Sequence, residues 1–292
     1  MIAFCRPSVF VVPADRWDCL LDCLCEQFPN IDRTTWLDRF ERGMVQDANH
    51  QSLSANSPVV RGQRVLYFRE IRNEVEIPFY ERILFQTEHF LVADKPHFLP
   101  VTPGGGYVSQ TLQSRLMTQL GNYQLQPVHR IDRHTAGLVL FSLQPETRSL
   151  YQGLFRDRQI SKSYEAIAPA LPDLEFPHDR ASRIVRGEQF FLSQEVAGEV
   201  NSVSRIDVLE RGEHYWRYRL EPVSGKKHQL RLHMSALGAP ILHDPLYPRV
   251  DDKLAADYTR PLQLLARELA FVDPVSGESF EFRSELQLLP LV

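Results

Sequence analysis

Asp132 stands in the stretch His129-Arg-Ile-Asp-Arg-His-Thr-Ala-Gly137, with Arg130, Arg133, His129 and His134 around it. Positive charge near a carboxyl favours its ionised form. The apolar run Leu138-Val-Leu-Phe141 that follows reads as a buried strand. A carboxylate kept ionised at the mouth of a strand is fit to act as a nucleophile or a base. The same pattern also describes a loop aspartate in ordinary ion pairs. Other residues with chemistry to offer must therefore decide between the two.

Two further stretches supply them. Lys162-Ser-Tyr-Glu-Ala-Ile-Ala168 alternates as a strand, which puts Lys162, Tyr164 and Ala166 on one face and Ser163, Glu165 and Ile167 on the other. A cation and a phenol are thus presented together. In Ser224-Gly-Lys-Lys-His-Gln-Leu-Arg-Leu-His-Met-Ser-Ala-Leu-Gly238, Leu230, Met234 and Leu237 recur at helical spacing as a buried stripe, and Gly238 supplies the stop. His228 and Arg231, three apart, then project from an adjacent polar face. Taken singly, Tyr164 could be a core tyrosine with a satisfied hydroxyl, and Arg231 a surface residue of an amphipathic helix. His129, Asp132, His134, His228, His233, His243 and Asp244 also invite a metal-dependent phosphoesterase reading, but their spacing matches no known ligand set. No metal is expected.

The three stretches, in this order, resemble the motifs of the RluA-type RNA pseudouridine synthases. The first resembles a His-Arg-Leu-Asp signature, with Ile131 in the place of Leu and Ala136 in the place of Ser. The second resembles a Lys-x-Tyr motif. The third resembles Gly-Arg-x-His-Gln-Ile-Arg-x-His, with Lys226 in the place of an arginine, and continues as Gly238-Ala-Pro-Ile-Leu-His-Asp-Pro-Leu-Tyr247, with His243 in the place of a glycine. The resemblance covers roughly residues 80–292. It implies an α+β fold with a mixed, largely antiparallel central sheet flanked by helices and loops. It also implies isomerisation of uridine to pseudouridine in ribosomal or transfer RNA, with no cofactor. Asp132 would be the essential carboxylate, Arg231 its partner, and Tyr164 the ring stacked on the target base. Arg130 would enter the RNA stack as the nucleotide is extruded, and His129, Lys162, His228 and Gln229 would help bind substrate. A non-catalytic RNA-binding protein on the same fold is the alternative, against which intact Asp132, Tyr164 and Arg231 speak.

These residues need supports. Residues 82–86 and 89–93 read as paired strands, with the second ended by Asp94-Lys-Pro96. Gly104-Gly105-Gly106 lacks the Gly-Lys-Ser/Thr of a phosphate loop and reads as a flexible loop bordering the site. Helices are expected from Ser109, as cap, to Leu120 and from Glu146 to Asp157. Residues 171–213 read as irregular insertion and hairpin material, with strands near Gln189 to Leu192 and Ser202 to Leu209. Tyr215 to Pro222 alternates as a strand, and Leu262 to Pro274 pairs with Ser279 to Arg283 across a Ser276-Gly277 turn.

Ahead of this catalytic domain, placed at residues 76–292, residues 1–75 read as a small unit. One helix carries Leu20, Leu21, Leu24 and Phe28, and a second fits Thr34 to Arg42, with Trp36, Leu37 and Phe40 on one side. A strand closes the unit after a turn at Gly62. The order weakly resembles an αL-type RNA-binding module, with Gln63 in the place of an aspartate and with Asp18, Asp22, Asp32 and Asp38 diluting its basic face. Arg69 to Pro78 is the expected linker.

The totals fit this picture. The chain has 292 residues, 43% hydrophobic and 24% charged, as an ordinary globular protein does. No apolar run approaches the roughly 18 residues that cross a bilayer, and no basic-then-apolar leader opens the chain, so a cytoplasmic protein is expected. Cys5, Cys19, Cys23 and Cys25 are all early and lack paired Cys-x-x-Cys halves, so they read as reduced, packed thiols. The net charge of −4 argues against a protein that coats nucleic acid non-specifically. An RNA enzyme with this balance must rely on a few placed cations and be strongly salt-sensitive. It is expected to act as a monomer, with no membrane and no obligatory protein partner.

Overall fold

The computed structural model describes residues 7–71 and 74–291. Internal contacts divide the chain into two units, the first ending at Val75 and also taking in Pro103–Gln110 and Ser114–Tyr123. The second holds Glu76–Thr102, Thr111–Gln113 and the chain from Gln124 onward.

In the first unit, β1 (Ser8–Val11), β2 (Val45–Gln46) and β3 (Arg64–Tyr67) form an antiparallel sheet of order β1-β3-β2, and α1 (Leu20–Gln27) and α2 (Arg33–Glu41) pack with it. The stripe read from the sequence becomes its core, where Leu20, Leu21 and Leu24 meet Trp36, Phe40, Val45 and Val65. Cys23 is buried there and Cys19, Cys23 and Cys25 are free thiols; Cys5 lies outside the described residues. The basic side chains of α2 are largely engaged. Arg33 pairs with Asp22 at 2.7 Å, and Arg39 is buried with its guanidinium over the Trp36 ring. Just past the helix, Arg42 pairs with Asp38 and Glu70. Of the expected linker, Arg72 and Asn73 lie outside the described residues. Glu74, next in line, accepts hydrogen bonds from the backbone N–H groups of Val108, Ser109 and Gln110 and from the Ser109 hydroxyl.

The second unit is built on β4 (Arg82–Gln86), β5 (Phe90–Lys95), β6 (Gln126–Pro127), β7 (Ala136–Ser142), β8 (Ile160–Pro169), β9 (His178–Arg186), β10 (Ser193–Val196), β11 (Ser202–Arg211), β12 (Tyr215–Pro222), β13 (Leu264–Val272) and β14 (Ser279–Arg283). Along the chain, helices α4 (Arg148–Arg156), α5 (Gln229–Ala236) and α6 (Asp252–Ala255) interrupt this series, as does α3 (Leu112–Leu120), whose residues from Ser114 onward belong to the first unit. The strands make one sheet of order β10-β9-β11-β12-β8-β13-β7-β5-β4, with β14 added to β13 and β6 to β7. Its described pairings are antiparallel except β13 with β7. The expected mixed, largely antiparallel sheet is therefore the observed one.

Every residue of β5 and β7 is buried, which explains why these strands read as near-continuous apolar runs. Each such Leu, Val or Phe contributes about 1.5–3 kcal/mol by leaving water. On one side, Tyr151 and Leu154 of α4 close over Phe90, Val92, Leu138 and Leu140. Elsewhere, Leu230 and Met234 of α5 pack on Ala166, Tyr218, Leu220 and Leu264. Each chemistry-bearing stretch is thus fixed by its own packed element.

Gly137 lets the parallel contact form. It has φ +110°, and a Cβ there would lie 2.2 Å from the Ala266 carbonyl oxygen. Only a residue without a side chain allows β7 to meet β13 at this point.

Some boundaries differ from expectation. The helix expected from Ser109 begins at Leu112, because the Ser109 N–H and hydroxyl are taken by Glu74. The expected helix of residues 146–157 is confined to Arg148–Arg156. Gln189 to Leu192 is a turn instead of a strand: the Leu192 N–H bonds the Gln189 carbonyl, and Gly187 and Leu192 close the β9–β10 hairpin. Residues 171–213 are mostly sheet. Strand β9 was not expected because six of its nine positions, His178, Asp179, Arg180 and Ser182 among them, are polar, so no apolar alternation marks it.

Candidate active site

Asp132 belongs to the tight turn that leads into β7, closed by the Thr135 N–H on the Asp132 carbonyl at 3.2 Å. Three neighbours pin this turn. The Lys95 ammonium, wholly buried at the end of β5, donates to the carbonyls of Pro96 (2.9 Å) and Arg133 (3.2 Å). His97 Nδ1 lies 2.7 Å from the His134 carbonyl, and Arg133 Nε donates to the Phe98 carbonyl at 3.1 Å. The backbone carrying Asp132 is held by side chains that do not themselves touch its carboxylate.

The carboxylate is gripped from α5. Arg231, 1% exposed, donates from Nη1 to Asp132 Oδ2 at 3.1 Å. Its Nε and Nη2 form a bidentate pair with Asp244 at 2.8 and 2.6 Å. Asp244 Oδ1 also accepts the N–H groups of Leu246 (2.8 Å) and Tyr247 (3.1 Å). A guanidinium offers donors in a rigid plane, and here it bridges two carboxylates with them. Burial pushes the Asp132 carboxyl up, but His228 when charged and the permanently charged Arg231 outweigh this and hold it below the usual carboxylate value. Burial opposes the charge of Arg231 too, and the hydrogen bonds and charge of Asp244 reverse the effect, so its pKa is raised.

His228 precedes α5 rather than standing on it. Its backbone is left-handed, φ 59°, so it does not share a helical face with Arg231, and this strained conformation turns its Nε2 to 3.7 Å from Asp132 Oδ1. Its Nδ1 lies 2.8 Å from the Tyr247 hydroxyl, whose oxygen takes the Ser193 N–H. Burial lowers the His228 pKa to about 4, leaving the ring neutral near pH 7.

Tyr164 comes from β8 and lines the same cleft. Its register is set from the opposite face of the strand, where Glu165 is held by Arg267 at 2.8 and 3.0 Å. Burial, and then the charge of Asp132, raise the phenol pKa, so Tyr164 remains a protonated donor. Lys162 lines the cleft beside it, with its pKa lowered by burial and its ammonium 6.0 Å from the Phe155 ring centroid.

The remaining expected residues divide. Arg130 is exposed at the wall of the cleft. His129 also lines it, but its Nε2 accepts the Leu140 N–H at 3.0 Å and its ring stacks on Phe155 at 4.4 Å, so half of it is committed to structure. Gln229 is committed throughout. Its Oε1 accepts from Ser224 Oγ and the Lys226 N–H, and its Nε2 donates to the Val203 carbonyl and Ser204 Oγ. It shapes the loop before α5, with no amide atom left over for a substrate. Lys95 and Asp244 are the supports that sequence reasoning missed. A lysine ending an apolar strand just before proline, and the aspartate three residues before Tyr247, were their only traces.

The cleft encloses about 1130 Å³. This is above the usual range of small-ligand pockets, about 300–1,000 Å³. Its described lining includes eight Arg or Lys residues, among them Arg130, Arg156, Arg158, Lys162, Lys226 and Lys227, and one carboxylate, Asp132. A chain of net charge −4 thus concentrates positive charge where Asp132 sits. Such a cleft attracts a polyanion and leaves one anionic oxygen inside it. Among the described residues, no group of three or more His, Cys, Asp and Glu is placed to hold a metal ion, and no helix is long and apolar enough to cross a membrane.

Comparison with known proteins agrees with this geometry. The profile of a family described as RNA pseudouridylate synthase matches residues 89–236. The dual-specificity RNA pseudouridine synthase RluA of Haemophilus influenzae is 31% identical over 215 residues, covering 70% of this chain and 93% of that protein. The ribosomal large subunit pseudouridine synthase D of Pseudomonas aeruginosa is 31% identical over 221 residues, covering 70% of this chain and 68% of the other. Among solved structures, human RNA pseudouridylate synthase domain containing 4 superposes with a TM-score of 0.55 at 26% identity, covering 70% of this chain and 88% of that one.

Proposed function

The chain belongs to the RluA-type RNA pseudouridine synthases, and we propose that Asp132, Tyr164 and Arg231 carry its isomerisation of uridine to pseudouridine. The reaction breaks the bond between C1′ and N1, turns the uracil, and joins C5 to C1′. C5 gives up its proton and N1 gains one, so nothing is added or lost overall. The target base must first leave its stack, because C1′ is not reachable within a duplex.

Asp132 is the essential carboxylate, either adding to the sugar or base or removing a sugar proton. Both roles require an ionised, aimed oxygen, and its bond from buried Arg231 supports this assignment. Tyr164 stacks on the extruded base and keeps its phenolic proton available. Arg130 enters the RNA stack in place of the extruded nucleotide, while His129, Lys162 and His228 line the substrate's path. No cofactor is used.

The substrate class is structured RNA, ribosomal or transfer, by analogy with relatives named for the ribosomal large subunit and for tRNA. The protein acts in the cytoplasm as a monomer. The unit of residues 1–75 serves as an RNA-binding-like module ahead of a catalytic domain of residues 76–292. Because α2 has most of its arginines paired or buried, that module's contact with RNA is the weaker part of the binding.

Release of tritium from RNA carrying uridine labelled at C5 tests the assignment, since that proton must leave. The wild-type protein releases label. Asp132→Asn, nearly isosteric and lacking the charge, binds RNA and folds but releases none. Turnover by the Asn variant would refute the role of Asp132.

A further inference from the structure

The β9–β10 hairpin carries a largely exposed aromatic side chain. Phe190, in the turn closed by Leu192 and Gln189, is 72% exposed, and Phe191 meets its ring edge-on at 5.4 Å. No other phenylalanine is among the large exposed apolar side chains of the described residues. A single exposed ring is ordinary by itself, so its setting must decide what it is for.

The surroundings supply the answer. The Lys227 ammonium donates to the Phe190 carbonyl at 3.4 Å. Lys227 also lines the cleft and lies within the electrostatic reach of Asp132, Arg130 and Arg186. The hairpin tip is therefore about one lysine side chain away from the basic wall of the active cleft. Glu188, in the same turn, disfavours a phosphate at the tip itself. A flat apolar ring beside a cationic groove, with an acid next to it, suits a nucleobase whose backbone is held by the groove.

We propose that Phe190 is a stacking platform for a base neighbouring the target uridine, in a single-stranded stretch of the RNA. The inference rests on the RNA synthase reading and adds to it a residue that selects for unpaired flanking nucleotides. Stacking suits the task because every base has a π-face, so the platform reads single-strandedness rather than sequence.

The test uses the full chain and a short single-stranded RNA of random sequence, with 5-iodouridine in place of uridine. Near-ultraviolet light joins iodouracil to an aromatic ring it stacks on, and mass spectrometry of the digest locates the adducts. Adducts are expected on the peptide bearing Phe190 and on peptides lining the cleft. Phe190→Ala should weaken binding of this RNA by about 5- to 100-fold, the range for one base on one aromatic ring, while Phe190→Trp retains it. Adducts in the cleft with none at Phe190, together with unchanged affinity of Phe190→Ala, would overturn the platform and leave the synthase reading standing. No adduct anywhere would overturn the RNA reading itself. Loss of self-association in Phe190→Ala, seen by sedimentation, would assign the ring to a contact between copies and so also overturn the proposal.

Discussion

Arg231 holds Asp132 at 3.1 Å with one nitrogen while its other two donors grip Asp244 at 2.8 and 2.6 Å. The closer, bidentate pair is the buried one, and the longer bond reaches the half-open cleft. Asp244 therefore fixes the guanidinium, and the guanidinium aims Asp132.

Asp244→Ala is accordingly expected to act at a distance. It leaves Arg231 with a single, partly exposed partner, and breaking a buried pair on one side costs about 3–5 kcal/mol. Urea unfolding should show that loss, and tritium release should fall with it. Arg231→Lys retains the charge but loses the planar fork that pairs bidentately with Asp244 while Nη1 reaches Asp132. It should unfold at a urea concentration closer to wild type while losing most activity. Equal rates in Arg231→Lys and wild type would show that the aimed bond has no role.

The acid side of the rate profile gives a second prediction. The Asp132 carboxyl is held below its ordinary value, about 3.9, so it stays ionised down to that range. Its pair with Arg231 contributes stability that is present above the unfolded-state value and is lost as pH falls through the lower folded-state value. His228, at about 4, adds no charge change near neutrality. On the acid side, kcat/KM should be flat from pH 7 to about 5. A limb near pH 6 would mean that the essential group is not Asp132 as held here.

How much of this could be read in the sequence depended on where each signal lies. Asp132, Tyr164 and Arg231 were singled out by local patterns: a charge cluster before an apolar run, an alternating strand, and a helical stripe. Those patterns left ordinary structural readings open, and only the ordered resemblance to three family motifs assigned them roles. Glu165 and Tyr164 face opposite sides of β8 because of the two-residue period alone. Asp244 and Lys95 were not legible as supports, since their partners, Arg231 and the Arg133 carbonyl, are 13 and 38 residues away. Gln229 looked like a binding residue because an amide near a site carries no mark of its internal partners. His228 looked helical, and the backbone turn that aims it leaves no periodic trace.

Tyr164 separates stacking from proton donation. Its phenol pKa is raised by burial and by Asp132, so it is a donor at every working pH. Tyr164→Phe retains the ring and should bind RNA nearly as wild type does, with turnover reduced about 10²- to 10⁴-fold by loss of the proton donor. Tyr164→Ala should weaken binding as well. RNA affinity measured beside single-turnover rate distinguishes the two, and a Phe variant with full rate would confine Tyr164 to stacking.

Gly137 ties the fold to the site at one backbone atom. A methyl group there would lie 2.2 Å from the carbonyl oxygen of Ala266 and 2.7 Å from its nitrogen, in main chain that β13 holds between β7 and β8. No flexible side chain can yield, so the strands must part. The positive φ of 110° adds backbone strain of about 1–3 kcal/mol. Gly137→Ala is therefore expected to lose at least that much stability in urea, and to lose activity even where it remains folded. The reason is local: β7 cannot shift without carrying the Asp132 turn away from Arg231, whose place is set independently by α5 and Asp244. Arg231→Lys would disturb the same pair from the other side, so the double variant should cost less activity than the product of the two single losses. Fully multiplicative losses would show that Gly137 supports the fold without positioning Asp132.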